Sequence, residues 1–224
     1  MLRFGLFTIF IAAVASDYTA DEAWKTKRVA DWTDEETKEI LTSSPWAVMT
    51  APTVKKEEKK SHSGIGVRLP GMRRRTTADP SQDSSSSAPS SEAGASLNVR
   101  WESALPIREA ELKARETSAP AVDENHYAIA VYGLPNSLAK DPKGEGDRLK
   151  GQAAIKREGQ KDLKPSHVDV IQRDDGVIVV FLFPRDQEIT AKDSQIEFDA
   201  TIGQFQIAQP FHVDQMIYQG KLEL

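Results

Sequence analysis

The chain has 224 residues, 39% of them hydrophobic and 28% charged, with a formal net charge of −5. That length allows one or two domains, and the mild acidity argues against a dedicated nucleic-acid binder. The absence of cysteine excludes disulfides, thiol nucleophiles, thiolate metal sites and lipid attachment through an N-terminal cysteine.

The chain opens with Met1-Leu2-Arg3 and the mostly apolar stretch Phe4–Ala15, which ends in the small-x-small triplet Ala13-Val14-Ala15. This is the pattern of a secretory signal peptide over residues 1–15, with Ala20 as a second cleavage position. Twelve residues are too few to cross a hydrocarbon core of ~30 Å comfortably as a helix. The expectation is therefore an exported protein, periplasmic or extracellular, that is not integral to a membrane once the signal is cleaved.

Residues 16–49 form a short helical segment rich in tryptophan. Thr33 and Glu36 make a capping box, Asp34 and Glu35 sit where the helix dipole favours anions, and Ser43-Ser44-Pro45 breaks the helix. Such a helix is marginal alone, so it must dock its few apolar groups. Trp24, Trp32, Ile40, Leu41 and Trp46 are the candidates for that contact, either against the chain's own β domain or on a partner protein.

From 50 to 96 the composition collapses. Positions 55–75 hold eight basic and two acidic residues, and Ser81–Ser96 holds eight serines in sixteen positions. Such a stretch cannot bury enough apolar surface to offset its ordering entropy, and it is read as a disordered linker. A solvated tether is preferred to a contact with anionic lipid or acidic polysaccharide.

Order resumes at Leu97 and continues to Leu224. Leu97–Leu105 alternates, with Leu97, Val99 and Trp101 on one face; Pro106 opens a helix over Ile107–Glu116; His126–Leu134 is a strand. Asn136–Gly146 reads as a polar, glycine-containing loop, and Leu149–Arg157 as a weak strand. His167–Arg173 and Gly176–Phe183 flank Asp174-Asp175-Gly176, a strong hairpin signal. Seven consecutive apolar residues, Val177–Phe183, demand a strand covered on both faces. Ile196, Phe198, Ala200 and Ile202 alternate cleanly, Gly203-Gln204 turns the chain, and Phe205–Val213 and Ile217–Leu224 follow. Short strands at this spacing, with one inserted helix and no βαβ rhythm, specify a mainly β protein: an antiparallel β-sandwich or barrel-like domain over 97–224.

The search for chemistry turns on a repeat. His167-Val168-Asp169 and His212-Val213-Asp214 would each place an imidazole and a carboxylate on one strand face. If the two strands were neighbours, His167, Asp169, His212 and Asp214 would form a metal site. Asp141–Asp147 lacks the spacing of a calcium loop, and no nucleophile elbow, zinc-helix motif or phosphate loop is present. No residue is assigned a catalytic role and no cofactor is implied.

Three stretches, WTDEETKEILTSSPWA at Trp32–Ala47, VRWESALPIREA at Val99–Ala110, and the end FPRDQEIT…MIYQGKLEL, resemble an uncharacterised family of exported bacterial proteins of the acidobacterial type. The resemblance implies export and a bacterial origin, and it carries no functional residue. The expected function is a non-catalytic, exported β-rich interaction or envelope-associated protein, with another envelope or secreted protein as partner. A metal-dependent hydrolase using the two His-Val-Asp pairs and a periplasmic ligand carrier are the alternatives.

Overall fold

The computed structural model describes residues 22–54, 96–117 and 119–224; the expected signal peptide (1–15) and positions 55–95 of the expected 50–96 linker lie outside them, while Thr50 and Thr53–Val54 of that linker are in strands. Two short helices, α1 (Ala23–Thr26) and α2 (Asp34–Thr42), lead into strands β1 (Ser43–Ser44), β2 (Ala47–Thr50) and β3 (Thr53–Val54). After the linker come β4 (Leu97–Trp101), helix α3 (Leu105–Ala114), β5 (His126–Leu134), helix α4 (Pro142–Lys150) and β6 (Ala153–Arg157). The remainder is β7 (His167–Arg173), β8 (Gly176–Pro184), β9 (Gln195–Ile202), β10 (Phe205–His212), β11 (Ile217–Tyr218) and β12 (Lys221–Leu222).

Two antiparallel sheets pack face to face. One has the order β1-β2-β4-β5-β8-β7, the other β3-β10-β9-β6, and β11-β12 forms a separate small hairpin. The expected mainly β, sandwich-like fold is what the chain adopts. Edge-to-face ring contacts join the layers: Phe181 to Phe198 at 5.3 Å and Trp101 to Phe211 at 5.5 Å. Such geometry adds to the area these rings bury.

Strand β8 explains the unbroken apolar run. Val177, Val179, Phe181 and Phe183 enter the inter-sheet core, while Ile178 (4% exposed) and Val180 (2%) join Ala128 and Ala130 in a second cluster on the other face. Val122, Ile171 and Leu182 pack against that cluster. The β7–β8 turn is Asp174-Asp175, with Arg173 paired to Gly176. Gly176 sits at φ +149, and a side chain there would meet Leu134 O at 2.8 Å, so glycine is required. Gly133, at φ +83, does not end β5; it lies in a register shift between Val131 and Leu134 through which the strand continues.

Two expectations need correction. Asn136–Gly146 is not merely a loop: Asp141 accepts the Gly144 N–H (3.2 Å), Pro142 occupies the first turn, and α4 follows. The tryptophan segment is also not a separate unit before the β domain. β2 pairs with β4 from Ala47↔Arg100 to Thr50↔Leu97, and β3 pairs with β10, so residues 47–54 supply strands to both sheets. Four- and two-residue strands are too short to show their alternation in sequence.

The α2 capping box forms as expected, with Glu36 N–H donating to Thr33 Oγ1 (3.1 Å) and Thr33 N–H to Glu36 Oε2 (2.8 Å). Trp24, Trp32, Ile40, Leu41 and Trp46 are all buried in the chain's own core. Trp46 meets Trp24 at 6.1 Å and Tyr218 at 6.5 Å, and its indole N–H donates to Glu223 O at 2.8 Å. Replacing it with alanine should cost about 3–5 kcal/mol, the range for large aromatic truncations. A urea midpoint for Trp46→Ala equal to that of the native protein would show that this layer does not hold the fold.

Candidate binding groove and its buried carboxyl pair

The two His-Val-Asp pairs do not come together. His167 Nε2 lies 2.9 Å from Asp169 Oδ1 on the exposed side of β7, as alternation predicts. His212 ends β10 in the other sheet on its outward face, and Asp214 falls in the 3₁₀ turn Val213–Gln215 beyond it. β7 and β10 are not neighbours, because each sits in a different layer. Among the described residues no group of three or more His, Cys, Asp or Glu is placed to hold a metal ion.

The polar chemistry gathers instead on the outer face of β4. Alternation turns Leu97, Val99 and Trp101 inward and Asn98, Arg100 and Glu102 outward. These outward residues would ordinarily meet water, yet all three are buried, Glu102 at 0% exposure. Helix α2 packs on α3 and on β2 and β4, covering them. Asn98 Nδ2 and Arg100 Nε both donate to Leu41 O, at 2.8 and 2.9 Å, satisfying a carbonyl in the last turn of α2. Arg100 Nη1 donates to both oxygens of Glu116 (3.1 and 3.2 Å), lies 3.8 Å from Glu111 Oε1, and its guanidinium stacks 4.3 Å from the Tyr132 ring centre.

Glu102 and Glu111 form a buried carboxyl pair. Tyr132 O–H donates to Glu102 Oε1 at 2.6 Å. Glu102 Oε2 and Glu111 Oε1 have no hydrogen-bond donor among the described residues, and each carboxyl shifts the other's ionisation. A proton held between them meets the need of both, as in any pair of close buried carboxylates. Burial is the main cause: it raises Glu102 and pushes Glu111 up to about 10, with Glu102 itself adding to the shift at Glu111. Burial also raises the Tyr132 phenol, so it stays a donor.

Glu111, but not Glu102, lines a groove of about 500 Å³, within the usual range for ligand sites. Arg115 ends α3 in the left-handed conformation (φ 54°), and the Glu116 N–H reaches back to Glu111 O at 2.9 Å. The chain then turns, and residues 119–122 form the opposite wall. The helix wall is Arg108, Glu111, Leu112 and Arg115, spaced i, i+3, i+4, i+7 on one face. Leu112, in the last turn of α3, is 80% exposed. The apolar spacing Ile107, Ala110 and Ala114 points to the opposite side of α3; Ile107 and Ala110 are buried there, whereas Ala114 is exposed. The available signal was a leucine flanked by arginines on the polar face of α3.

No protein family model, no curated protein and no solved structure matches this chain.

The carboxyl pair gives stability a definite pH dependence. Unfolded, Glu111 ionises near 4.5; folded, it holds its proton to about 10. Between these values the folded state binds the extra proton, so stability falls as pH rises through that window. Glu111→Gln, which mimics the protonated form, should lose less melting temperature than the native protein between pH 5 and pH 9. An equal loss in both would show that no proton is held there.

Proposed function

We propose that the protein is an exported interaction module whose α3 groove takes an acidic, partly apolar segment of another secreted or envelope protein. One observation carries this: the exposed stripe Arg108-Leu112-Arg115 beside the groove. The groove's acids are already committed. Glu116 is held by Arg100, and Glu111 keeps its proton. Arg108 and Arg115 stand seven residues apart, roughly 10 Å along a helix at 1.5 Å per residue. An extended strand covers that distance in about three residues. The matching ligand is an extended segment with acidic side chains three positions apart and an apolar side chain between them to meet Leu112.

Export rests on the Met1–Ala15 pattern and on the resemblance to exported bacterial proteins. It is consistent with the finding that, among the described residues, no helix is long and apolar enough to cross a membrane. The carrier alternative needs room between the sheets, where the Phe181–Phe198 and Trp101–Phe211 contacts stand. The groove outside the sheet is the better binding site.

A fluorescein-labelled Gly-Asp-Leu-Leu-Asp-Gly peptide tests the groove by fluorescence anisotropy. The double variant R108E/R115E should bind it at least roughly tenfold more weakly than the native protein, because like charges would now face the ligand. The control Lys156→Glu, whose lysine pairs with Glu197 and Asp199 on the other sheet, should bind as the native protein does. Equal affinity in R108E/R115E and native protein would remove the proposal. For export, the N-terminal sequence of the secreted product should begin after Ala15 or Ala20. A mature chain that still starts at Met1 would refute it.

A further inference from the structure

Three polar side chains from two parts of the chain meet where β5 and β7 begin, on either side of the far end of β8. Ser166 stands just before β7 and is seated there by its own N–H, which donates to Leu182 O at 2.9 Å. Its hydroxyl oxygen lies 3.2 Å from His126 Nε2 at the start of β5. His126 Nδ1 lies 2.8 and 2.9 Å from the two oxygens of Asp123. Asp123 Oδ1 also accepts the Asn125 N–H at 2.7 Å, which fixes the carboxylate in the turn before β5.

The connectivity sets the direction of each bond. Asp123 is held below the ordinary carboxylate range, chiefly by its bond to His126, so it is an anion that only accepts. The proton of a neutral His126 must then lie on Nδ1, leaving the Nε2 lone pair facing Ser166. The hydroxyl also donates to Leu182 O at 3.3 Å, a carbonyl that accepts the Ser166 N–H with its other lone pair. A small rotation about the Ser166 C–O bond turns the same proton to His126 Nε2 at 3.2 Å. We propose that Ser166, His126 and Asp123 form a nucleophile, base and orienting acid, and that Ser166 is acylated by esters with good leaving groups. This site is independent of the α3 groove and goes beyond the binding reading.

In the proposed step the Ser166 oxygen attacks the ester carbonyl carbon as its proton passes to His126 Nε2. The imidazolium, stabilised by Asp123, returns that proton to the departing alcohol as the ester C–O bond breaks. Water then attacks the acyl-serine by the same route, releasing the carboxylic acid and restoring the hydroxyl. The substrate class follows from oxyanion stabilisation. Pro165 has no N–H, and the Ser166 N–H is used on Leu182, so neither is free to meet the developing charge. Losing one such donor costs roughly 10²–10³ in rate, which favours activated esters over amides. Ser166 is exposed, and the His126 side chain is 25% exposed, so reagents can reach both.

A fluorophosphonate probe reads the step directly: the serine oxygen–phosphorus bond forms, the phosphorus–fluorine bond breaks, fluoride leaves and His126 takes the proton. Intact-mass and peptide mass spectrometry of the full chain should show one adduct, at Ser166. S166A should lose it, and H126Q and D123N should label at least roughly a hundredfold more slowly, the lower end of the range for a lost general base. Circular dichroism confirms that each variant is folded. Absence of an adduct at Ser166, or equal labelling of H126Q and native protein, would overturn the assignment.

Discussion

The constraint on which the rest of this structure depends is that its larger sheet is covered on both faces. β8 places Val177, Val179, Phe181 and Phe183 against the smaller sheet and Ile178 and Val180 against a second cluster. Apolar area is stabilising only when removed from water, at roughly 25 cal/mol per Å². The outer face therefore needs a lid, and α2, α3 and the chain returning past Val122 supply it. That lid also buries residues of β4 that alternation had turned outward. Arg100 and Glu102 are thus placed where each needs a partner, and Glu111, Glu116 and Tyr132 provide them. The carboxyl pair is a consequence of covering the sheet.

How much of this could be read in the sequence depends on range. The β8 run, the alternation of β9 and the α2 capping box are local patterns, and each predicts its element correctly. The two-residue turn before Gly176 is local as well. α4 was missed although its start is written in Asp141-Pro142, because two glycines inside it read as loop. β2 and β3 were missed for a different reason. Their pairing partners lie beyond the linker, and strands of four and two residues carry little pattern.

The sites were legible only in part. The His167–Asp169 pair follows from i, i+2 geometry, but the second His-Val-Asp copy ends its strand and turns away in the other sheet. Nothing local distinguishes Glu102 or Glu111 from solvent-facing glutamates, since their burial is decided by α2, some sixty residues earlier in the chain. The same holds for Ser166 and His126, forty residues apart and brought together by the strand between them. Leu112 is the exception: an isolated leucine on a charged helix face is visible in sequence and marks the groove.

The aromatic layer around Trp46 bears on how the chain acquires its structure. Trp46 donates to the Glu223 carbonyl across 177 positions and meets Tyr218 edge-to-face, and Tyr218 also meets Trp32 at 6.5 Å. Contacts of such separation carry a large loop-closure cost, and topologies dominated by them close slowly. The α2 helix and the Trp24–Trp46 contact are local, but Trp32 and Trp46 are covered on their other side by Tyr218 of the C-terminal hairpin. The layer is therefore made of contacts distant in sequence, and its closure belongs to the slow, non-local part of folding rather than to the formation of any one element.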